Sequence, residues 1–223
     1  MGENPMIKSV LGACIALGCV ALTAKADVLT WNASVPLTDT DWVQNVSIPK
    51  FDPSLGTLTS IDFSMTAHIE GSSFYENQEA SPTMVSLTLA AEMSLLRPDM
   101  SSLITVNPST TVGELAGAFD GMIDFGGTSG NTFNNLFADI TQSASSPPPA
   151  SDLALFTGLG NILLPVSAMG DSSGAGPGNW IFGFALAASA DVTVKYNYTP
   201  VPEPTSAASL AICGLAMLLR RRR

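Results

Sequence analysis

One set of residues in the sequence could perform nucleophilic catalysis. The segment Gly170–Gly174, GDSSG, fits the pattern G-x-S-x-G and would make Ser172 the nucleophile. His68 is the single histidine and could act as general base, while Asp120 or Asp124 could orient its imidazole. A serine, a histidine and an acid in hydrogen-bond contact make a hydroxyl able to attack a carbonyl. A serine hydrolase is therefore the enzymatic alternative for this chain.

The surroundings of these residues weaken that interpretation. Gly170–Gly174 resembles the nucleophile stretch of chymotrypsin-like proteases, and Thr66–His68 resembles their histidine stretch. However, Asp171–Gly178 is rich in Gly and Ser and is typical of a loop, whereas a hydrolase nucleophile elbow needs a strand, a turn and a helix. His68 falls on the polar side of an alternating segment, so we expect it to face solvent. We therefore expect no catalytic residues and no enzymatic activity.

Metal binding would have to rely on oxygen ligands. Residues 27–199 contain one histidine and no cysteine, which nearly excludes a zinc site. Calcium takes carboxylate and carbonyl oxygens, and Asp120 and Asp124 lie four residues apart in a glycine-rich segment. Asp52 and the pair Glu76–Asn77 could contribute if they are neighbours in space. The same dipeptides favour tight turns, so we expect turn formation and no cofactor, with calcium as the alternative.

The segment between the termini, residues 27–199, is strongly acidic. Lys50, Arg97 and Lys195 are its strong cations, and it holds all but two of the 19 acids of the chain. Three cations and 17 acids give it a formal charge of −14. Such a surface repels phosphate backbones, so we expect no nucleic-acid partner.

Alternating apolar and polar residues predict β-strands throughout this segment. Period two indicates strands with one buried face and one solvated face, a pattern typical of antiparallel sheets. The predicted strands are Val28–Val35, Trp42–Ile48, Ile61–Glu70, Val85–Leu95, Trp180–Ala187 and Val192–Tyr198. The three cysteines lie in the terminal segments, so the fold must depend on core burial alone.

Several segments are less regular. Thr111–Phe119 and Asn134–Ile140 could form short helices or strands, and Gly71–Pro82 is predicted to connect two strands. The segment Ser143–Ser151, SASSPPPAS, is predicted to be a loop that cannot hold a sheet ladder. Together the patterns predict an all-β, antiparallel β-sandwich that is jelly-roll-like. An N-terminal signal helix and a C-terminal hydrophobic helix would flank it.

The N-terminus has the features of a secretory signal peptide. Lys8 precedes an apolar run at Val10–Leu22, and an A-x-A box follows at Ala24–Ala26. We expect signal peptidase to cleave after Ala26. An uncleaved anchor helix is the alternative, but the run is short of the ~20 residues that span a bilayer. Lipoprotein processing at Cys19 is a second alternative.

The C-terminus combines three features in a fixed order. Val201–Pro204 reads VPEP, Ala207–Leu219 is apolar, and Arg220–Arg223 closes the chain. The apolar run has 13 residues, which is marginal for a membrane span, and terminal arginines favour the cytoplasmic side. A buried core helix is the alternative, but four arginines argue against it. The residues predicted for membrane contact and sorting are Leu210, Leu215, Leu218, Leu219, Arg220, Arg221, Arg222 and Arg223.

Four segments of the chain resemble those of choice-of-anchor E domains: Phe51–Leu58, Glu76–Asn77, Asp120–Gly130 and Val194–Tyr198. This family shares a β-rich surface domain that ends in one of several anchoring signals. The tail is similar to the PEP-CTERM sorting signal. That resemblance implies that an exosortase cuts near the triplet Pro202, Glu203 and Pro204, and then releases or transfers the protein.

These predictions define three parts of the chain: a signal peptide at 1–26, one β-rich surface domain at 27–199, and a sorting signal at 200–223. We expect an exported bacterial surface or extracellular-matrix protein with a structural or adhesive role. It would be held transiently in the inner membrane by a transmembrane helix, with signal peptidase and exosortase as processing partners and exopolysaccharide as a ligand. A calcium-dependent carbohydrate-binding module is the alternative function.

Overall fold

The computed structural model describes residues 26–146 and 150–201 and contains almost only β-strands there. These residues form ten strands and one short helix. The strands are β1 (Asp27–Asp39), β2 (Trp42–Pro49), β3 (Gly56–Asn77), β4 (Thr83–Leu96), β5 (Ser102–Val106), β6 (Ser109–Ala116), β7 (Gly130–Ser146), β8 (Asn161–Gly170), β9 (Ser173–Ala175) and β10 (Trp180–Pro200), and the helix is α1 (Ala150–Phe156).

Two antiparallel sheets build the domain. Sheet A has the strand order β1-β10-β3-β7, and sheet B has the order β2-β8-β4-β5. The first half of β4 also pairs with β6 and β9. Because the chain passes repeatedly from one sheet to the other, its connectivity is that of a jelly roll. The predicted antiparallel β-sandwich is therefore confirmed, while both predicted flanking helices lie outside the described residues.

The core lies between the two sheets and follows the predicted alternation. The apolar set of Ile61–Glu70 is fully buried, and its polar set points away from sheet B. Burying one large apolar side chain stabilises the fold by ~1.5–3 kcal/mol. The residues that meet at the centre include Ile61, Phe63, Met65, Ile69, Met93, Leu95, Leu164, Val166, Val192, Val194 and Tyr196.

The tryptophans lie in strands, as predicted, and all three are partly buried. Trp31 and Trp42 pack against the main core. Trp180 packs against a smaller cluster around Tyr75 and stacks on Phe182, with ring centroids 4.3 Å apart.

Two long strands replace shorter predicted elements. The predicted strands Trp180–Ala187 and Val192–Tyr198 are parts of one strand, β10, which pairs with β3 along its whole length. The predicted connection Gly71–Pro82 is wrong for Gly71 to Asn77, because these residues belong to β3. Backbone pairing between the two strands outweighs the weak alternation of the small residues in the middle of β10.

The prediction of a loop at Ser143–Ser151 is also wrong in part. Ser143 to Ser146 extend β7 and pair with β3, and α1 begins at Ala150. Serine does not prevent pairing, because its hydroxyl can bond across the ladder: Ser143 donates to Ser64 at 3.1 Å. The two ambiguous segments, Thr111–Phe119 and Asn134–Ile140, lie largely in β6 and wholly in β7 respectively.

Both ends of the described domain meet at one pole. Asp27 pairs with Tyr198 in the ladder between β1 and β10, and the Tyr198 hydroxyl donates to Asp27 Oδ2 at 3.2 Å. Val201 N donates to the carbonyl of Leu55 at 3.1 Å. From this pole, the 22 residues of β3 reach toward the opposite end, a distance of up to about 70 Å for an extended strand.

Candidate functional site

The residues of the predicted catalytic set lie apart. Ser172 follows β8, where its hydroxyl accepts a hydrogen bond from Ala90 N at 3.0 Å and donates to the Ala90 carbonyl at 3.2 Å. His68 lies in sheet A, with Nδ1 2.8 Å from Asp139 Oδ1 and Nε2 3.4 Å from Glu70 Oε2. The structure therefore does not bring Ser172 to His68, and other groups occupy the polar atoms of both residues.

The aspartates considered for calcium accept hydrogen bonds within their own loop. Asp120 accepts from Met122 N at 3.1 Å and from Thr128 N at 3.3 Å, and the bond from Met122 N is the main cause that holds its pKa below the ordinary value. Asp124 accepts from Gly126 N at 3.0 Å. Such bonds from nearby N–H groups are the chemistry of turns, which the sequence also predicted.

Glu76 and Asn77 do approach this loop. Glu76 is fully buried; its Oε2 accepts from Phe125 N at 2.9 Å, and its Oε1 has no hydrogen-bond partner. Asn77 donates to the Gly117 carbonyl at 2.6 Å. Asp52 does not join them, because it accepts from Ser54 N at the turn before β3. Among residues 26–146 and 150–201, no three acidic, histidine or cysteine side chains are grouped to hold a metal ion.

The predicted processing and sorting residues lie mostly beyond the described chain. Ala26 is exposed and directly precedes β1. Cys19, the triplet Pro202 to Pro204, the apolar run Ala207–Leu219 and the terminal arginines are outside the described residues. In the part of the chain that the structure does describe, no helix has the length and hydrophobicity needed to cross a membrane.

A groove on the outer face of sheet A brings chemically useful side chains together. It has a volume of about 400 Å³ and lies across β3, β7 and β10. Gly71 and Ala185 contribute small residues to its lining, and polar or aromatic side chains complete it. We call this feature the sheet A groove; its other lining residues include His68, Glu70, Asn134, Asn135 and Phe137.

An irregularity in the sheet shapes this groove. The pairing of β3 with β7 shifts between Gly71 and Ser73, where β7 carries one extra residue around Asn134 and Asn135. Asn135 has a φ of 59°, a left-handed conformation that asparagine tolerates better than most residues. A bulge of this kind bends a strand and re-aims its side chains. At Gly71, a Cβ atom would collide with the carbonyl oxygen of Ala185, so glycine is required at this close approach.

Two acids lie at the groove, Glu70 in its lining and Asp139 beside it, and both contact the imidazole of His68. The side chains of Glu70 and Asp139 are 51% and 56% exposed, and that of His68 between them is 30% exposed. The hydrogen bond with Asp139 is the main cause that raises the pKa of His68 above its ordinary value of 6.5. Two carboxylates oppose at most one positive charge, so this trio is negative with His68 neutral or protonated.

An exposed phenyl ring lies beside these charges. Phe137 is 63% exposed, although most phenylalanines avoid water. It is opposite Glu70 in the β3–β7 ladder, so both side chains project from the same face. The arrangement offers an apolar surface, two hydrogen-bond acceptors and side-chain amides within one groove.

A track of hydroxyl groups continues from the groove along the same face. Thr66 and Thr141 are joined Oγ1 to Oγ1 at 2.9 Å, and Ser64 and Ser143 follow one step further. These pairs belong to the same β3–β7 ladder as His68 and Asp139. The outer face of sheet A is therefore a polar surface with the groove near one end.

Sequence reasoning found only part of this site. It placed His68 on the solvent side, and Glu70 could have been added because residues two apart in a strand share a face. Phe137 and Asp139 were missed, since their position depends on the register between β3 and β7. Register is a long-range property that no local pattern in β7 reveals.

Comparisons with known proteins identify similar folds only. No family model matches the chain, and no curated protein sequence matches it. Among solved structures, the chain is similar to a VP2 subviral particle of infectious bursal disease virus at 12% identity, covering 89% of this chain and 49% of that one with a TM-score of 0.26. A second similar structure is that of the Gx strain of the same virus, at 11% identity. The match covers 82% of this chain and 43% of that one, with a TM-score of 0.22. The chain thus spans about half the length of these structures, and the likeness concerns fold alone.

Proposed function

We propose that this chain is an exported bacterial surface or extracellular-matrix protein with a structural or adhesive role. Two terminal segments would deliver it, a signal peptide removed after Ala26 and a sorting signal cut by an exosortase near Pro202 to Pro204. The observation that carries this proposal is the position of the first and last described strands relative to the two predicted cleavage sites. β1 begins at Asp27, directly after Ala26, and β10 ends at Pro200, just before the PEP triplet.

The pairing of the terminal strands supports the same proposal. β1 and β10 are paired with each other from Asp27 and Tyr198 onward, and the last residues of β10, Thr199 and Pro200, pair with Thr57 and Gly56 of β3. Removal of both segments would therefore leave every described strand intact. Both described ends lie at one pole, so a tail that continues from Val201 would hold the domain by that pole.

Intact-mass analysis of the exported protein tests this proposal. We expect a product that begins at Asp27 and ends near the PEP triplet. The variant Glu203→Ala should retain the tail if the triplet is the processing signal, whereas Glu92→Ala, an exposed acid on β4, should be processed normally. A wild-type product that still carries Arg220–Arg223 would contradict C-terminal processing.

A second proposed function is carbohydrate binding through the sheet A groove. The observation that favours it is the exposed ring of Phe137 beside Glu70, His68 and the amides of Asn134 and Asn135. Sugars offer an apolar ring face and hydroxyl groups, which match an aromatic surface and polar side chains. An exopolysaccharide is the ligand that agrees with an exported matrix protein. Loss of binding to oligosaccharides in Phe137→Ala, with the fold preserved, is the expected result.

A further inference from the structure

We propose that the sheet A groove binds a cationic amino sugar, such as a glucosamine unit of a partly de-N-acetylated polysaccharide. This inference rests on the proposed carbohydrate-binding function and names the class of sugar. Phe137 would stack on the apolar face of the pyranose ring. Glu70 and Asp139 would accept hydrogen bonds from the ammonium group.

Charge is the first argument for a cationic ligand. Glu70 and Asp139 are about half exposed, so each keeps oxygen lone pairs open to a ligand. Asp191 adds a third acid nearby, because it pairs with Thr66 on β10, two residues from the Ser189–His68 pair. Charge-assisted hydrogen bonds from an ammonium to a carboxylate are roughly twice as strong as neutral ones.

Apart from His68, which can carry one positive charge against the two carboxylates, the described cations that could neutralise these acids lie elsewhere. Arg97 is engaged with the buried carboxylate of Asp152, with Nε 2.8 Å from Oδ1 and Nη2 2.8 Å from Oδ2. Lys195 lies in β10 six residues beyond Ser189, about 20 Å along the strand. Lys50 follows β2, a strand of the other sheet. The negative potential at the groove therefore attracts a cation and repels a uronic acid.

Shape is the second argument. A volume of about 400 Å³ suits a ligand of one or two sugar rings, at the lower end of the range for small-molecule sites. Gly71 and Ala185 contribute no bulky side chain to the groove, whereas Phe137 presents an exposed ring. Beyond the groove, the hydroxyl pairs Thr66–Thr141 and Ser64–Ser143 could contact further units of a linear chain.

Calorimetric titration of the exported protein with three soluble probes tests this inference. The probes are a β-1,4 glucosamine tetramer, its fully N-acetylated form and a tetramer of galacturonic acid, near pH 6 where an aliphatic amine is charged. We expect the glucosamine tetramer to bind at least about tenfold more tightly than the acetylated form, a factor that corresponds to ~1.4 kcal/mol. We expect no binding of the uronic acid tetramer.

Matched variants separate the groove from the general acidity of the domain. Glu70→Gln and Phe137→Ala should each weaken binding of the glucosamine tetramer about tenfold. Glu92→Gln and Leu163→Ala remove an exposed acid and an exposed apolar side chain in sheet B, and both should leave binding unchanged. Thermal unfolding of each variant checks that the fold is retained.

The outcomes distinguish this inference from the function on which it rests. Equal binding of the acetylated and free-amine tetramers, lost in both cases in Phe137→Ala, would overturn the choice of an amino sugar and leave carbohydrate binding standing. Equal weakening by Glu70→Gln and Glu92→Gln would show attraction to the whole acidic surface and overturn the site. Absence of binding by both glucosamine forms would overturn the inference and carbohydrate binding together. The proposal of export and processing would be unaffected, because it is tested separately by the intact mass of the exported protein.

Discussion

Two regions of the domain hold clusters of acids, and they differ in what the carboxylate oxygens contact. In the glycine-rich loop between β6 and β7, Asp120 and Asp124 accept hydrogen bonds from backbone N–H groups. Glu76 of β3 is fully buried and accepts a hydrogen bond from Phe125 N of the same loop. In the sheet A groove, Glu70 and Asp139 are half exposed and share a single histidine. The loop acids are bonded to backbone N–H groups, whereas the acids of the groove are bonded to a side chain, that of His68.

The difference shows why spacing alone is a poor guide to a binding site. Asp120 and Asp124 are close in sequence, yet the loop itself uses their oxygens. Glu70 and Asp139 are 69 positions apart, yet the β3–β7 ladder places them around one imidazole. A carboxylate can bind a ligand only with the lone pairs that the fold leaves free.

The largest effect should come from the loop, through Gly130→Ala. A Cβ atom at Gly130 would collide with Glu76 Oε2 and would lie 2.7 Å from Gly126 N. The loop must then move, and the buried Glu76 carboxylate loses the N–H of Phe125. Leaving a buried polar group without its hydrogen bond costs about 1–3 kcal/mol. We expect the unfolding temperature to fall by roughly 2–4 °C for each kcal/mol lost.

A matched glycine provides the control for this experiment. Gly178 has no positive φ, and the nearest atom to an added Cβ is Glu79 Oε1 at 3.8 Å, an ordinary contact. Gly178→Ala should therefore leave the unfolding temperature almost unchanged. Equal stability of Gly130→Ala and Gly178→Ala would show that the loop does not support Glu76.

A smaller effect should come from the groove, as a pH dependence of stability. The pKa of His68 is raised in the folded protein, with Asp139 as the first cause and Glu70 as the second partner. The ion pairs of His68 therefore stabilise the folded protein fully below the pKa of about 6.5 that His68 has in the unfolded chain. This stabilisation is lost as the pH rises through the pKa of His68 in the folded protein. Exposed ion pairs of this type contribute less than ~1 kcal/mol.

The variant His68→Gln isolates this contribution. Besides Glu70 and Asp139, the imidazole has Ser189 opposite it on β10, with Asp191 two residues further, and no other charged residue lies within two residues of these pairs in the two ladders. Denaturant unfolding of wild type minus His68→Gln should give a difference that shrinks from acidic to alkaline pH. A difference that grows with pH would contradict the assigned direction of the pKa.

The sequence predicted the fold where side chains alternate by burial. Ile61 to Glu70 could be assigned because each side chain has one environment, core or solvent. The middle of β10 could not, since Gly183, Ala185 and Ala187 carry too little apolar contrast to reveal a period. Trp180–Pro200 forms one strand because it pairs with β3 along its length. That pairing is a long-range contact, which the local sequence of β10 does not show.

The candidate site was harder to predict for a related reason. His68 and Glu70 are visible as one face of one strand, but Phe137 and Asp139 reach them through a register that contains an extra residue at Asn134–Asn135. A shift of one residue would have turned Phe137 toward the core. The site is thus specified by long-range pairing, whereas the loop aspartates are specified by local turn chemistry.

The smallest effect should be that of calcium on the loop. Asp120 has hydrogen bonds to both oxygens and Asp124 to one, so binding an ion would require breaking bonds that already stabilise the turn. We therefore expect calorimetric titration with calcium to give no heat beyond dilution, in wild type and in Asp124→Ala alike. A calcium-dependent rise in unfolding temperature that Asp124→Ala abolishes would contradict the distinction between the two regions, because the loop acids would then be ligands as well as turn formers.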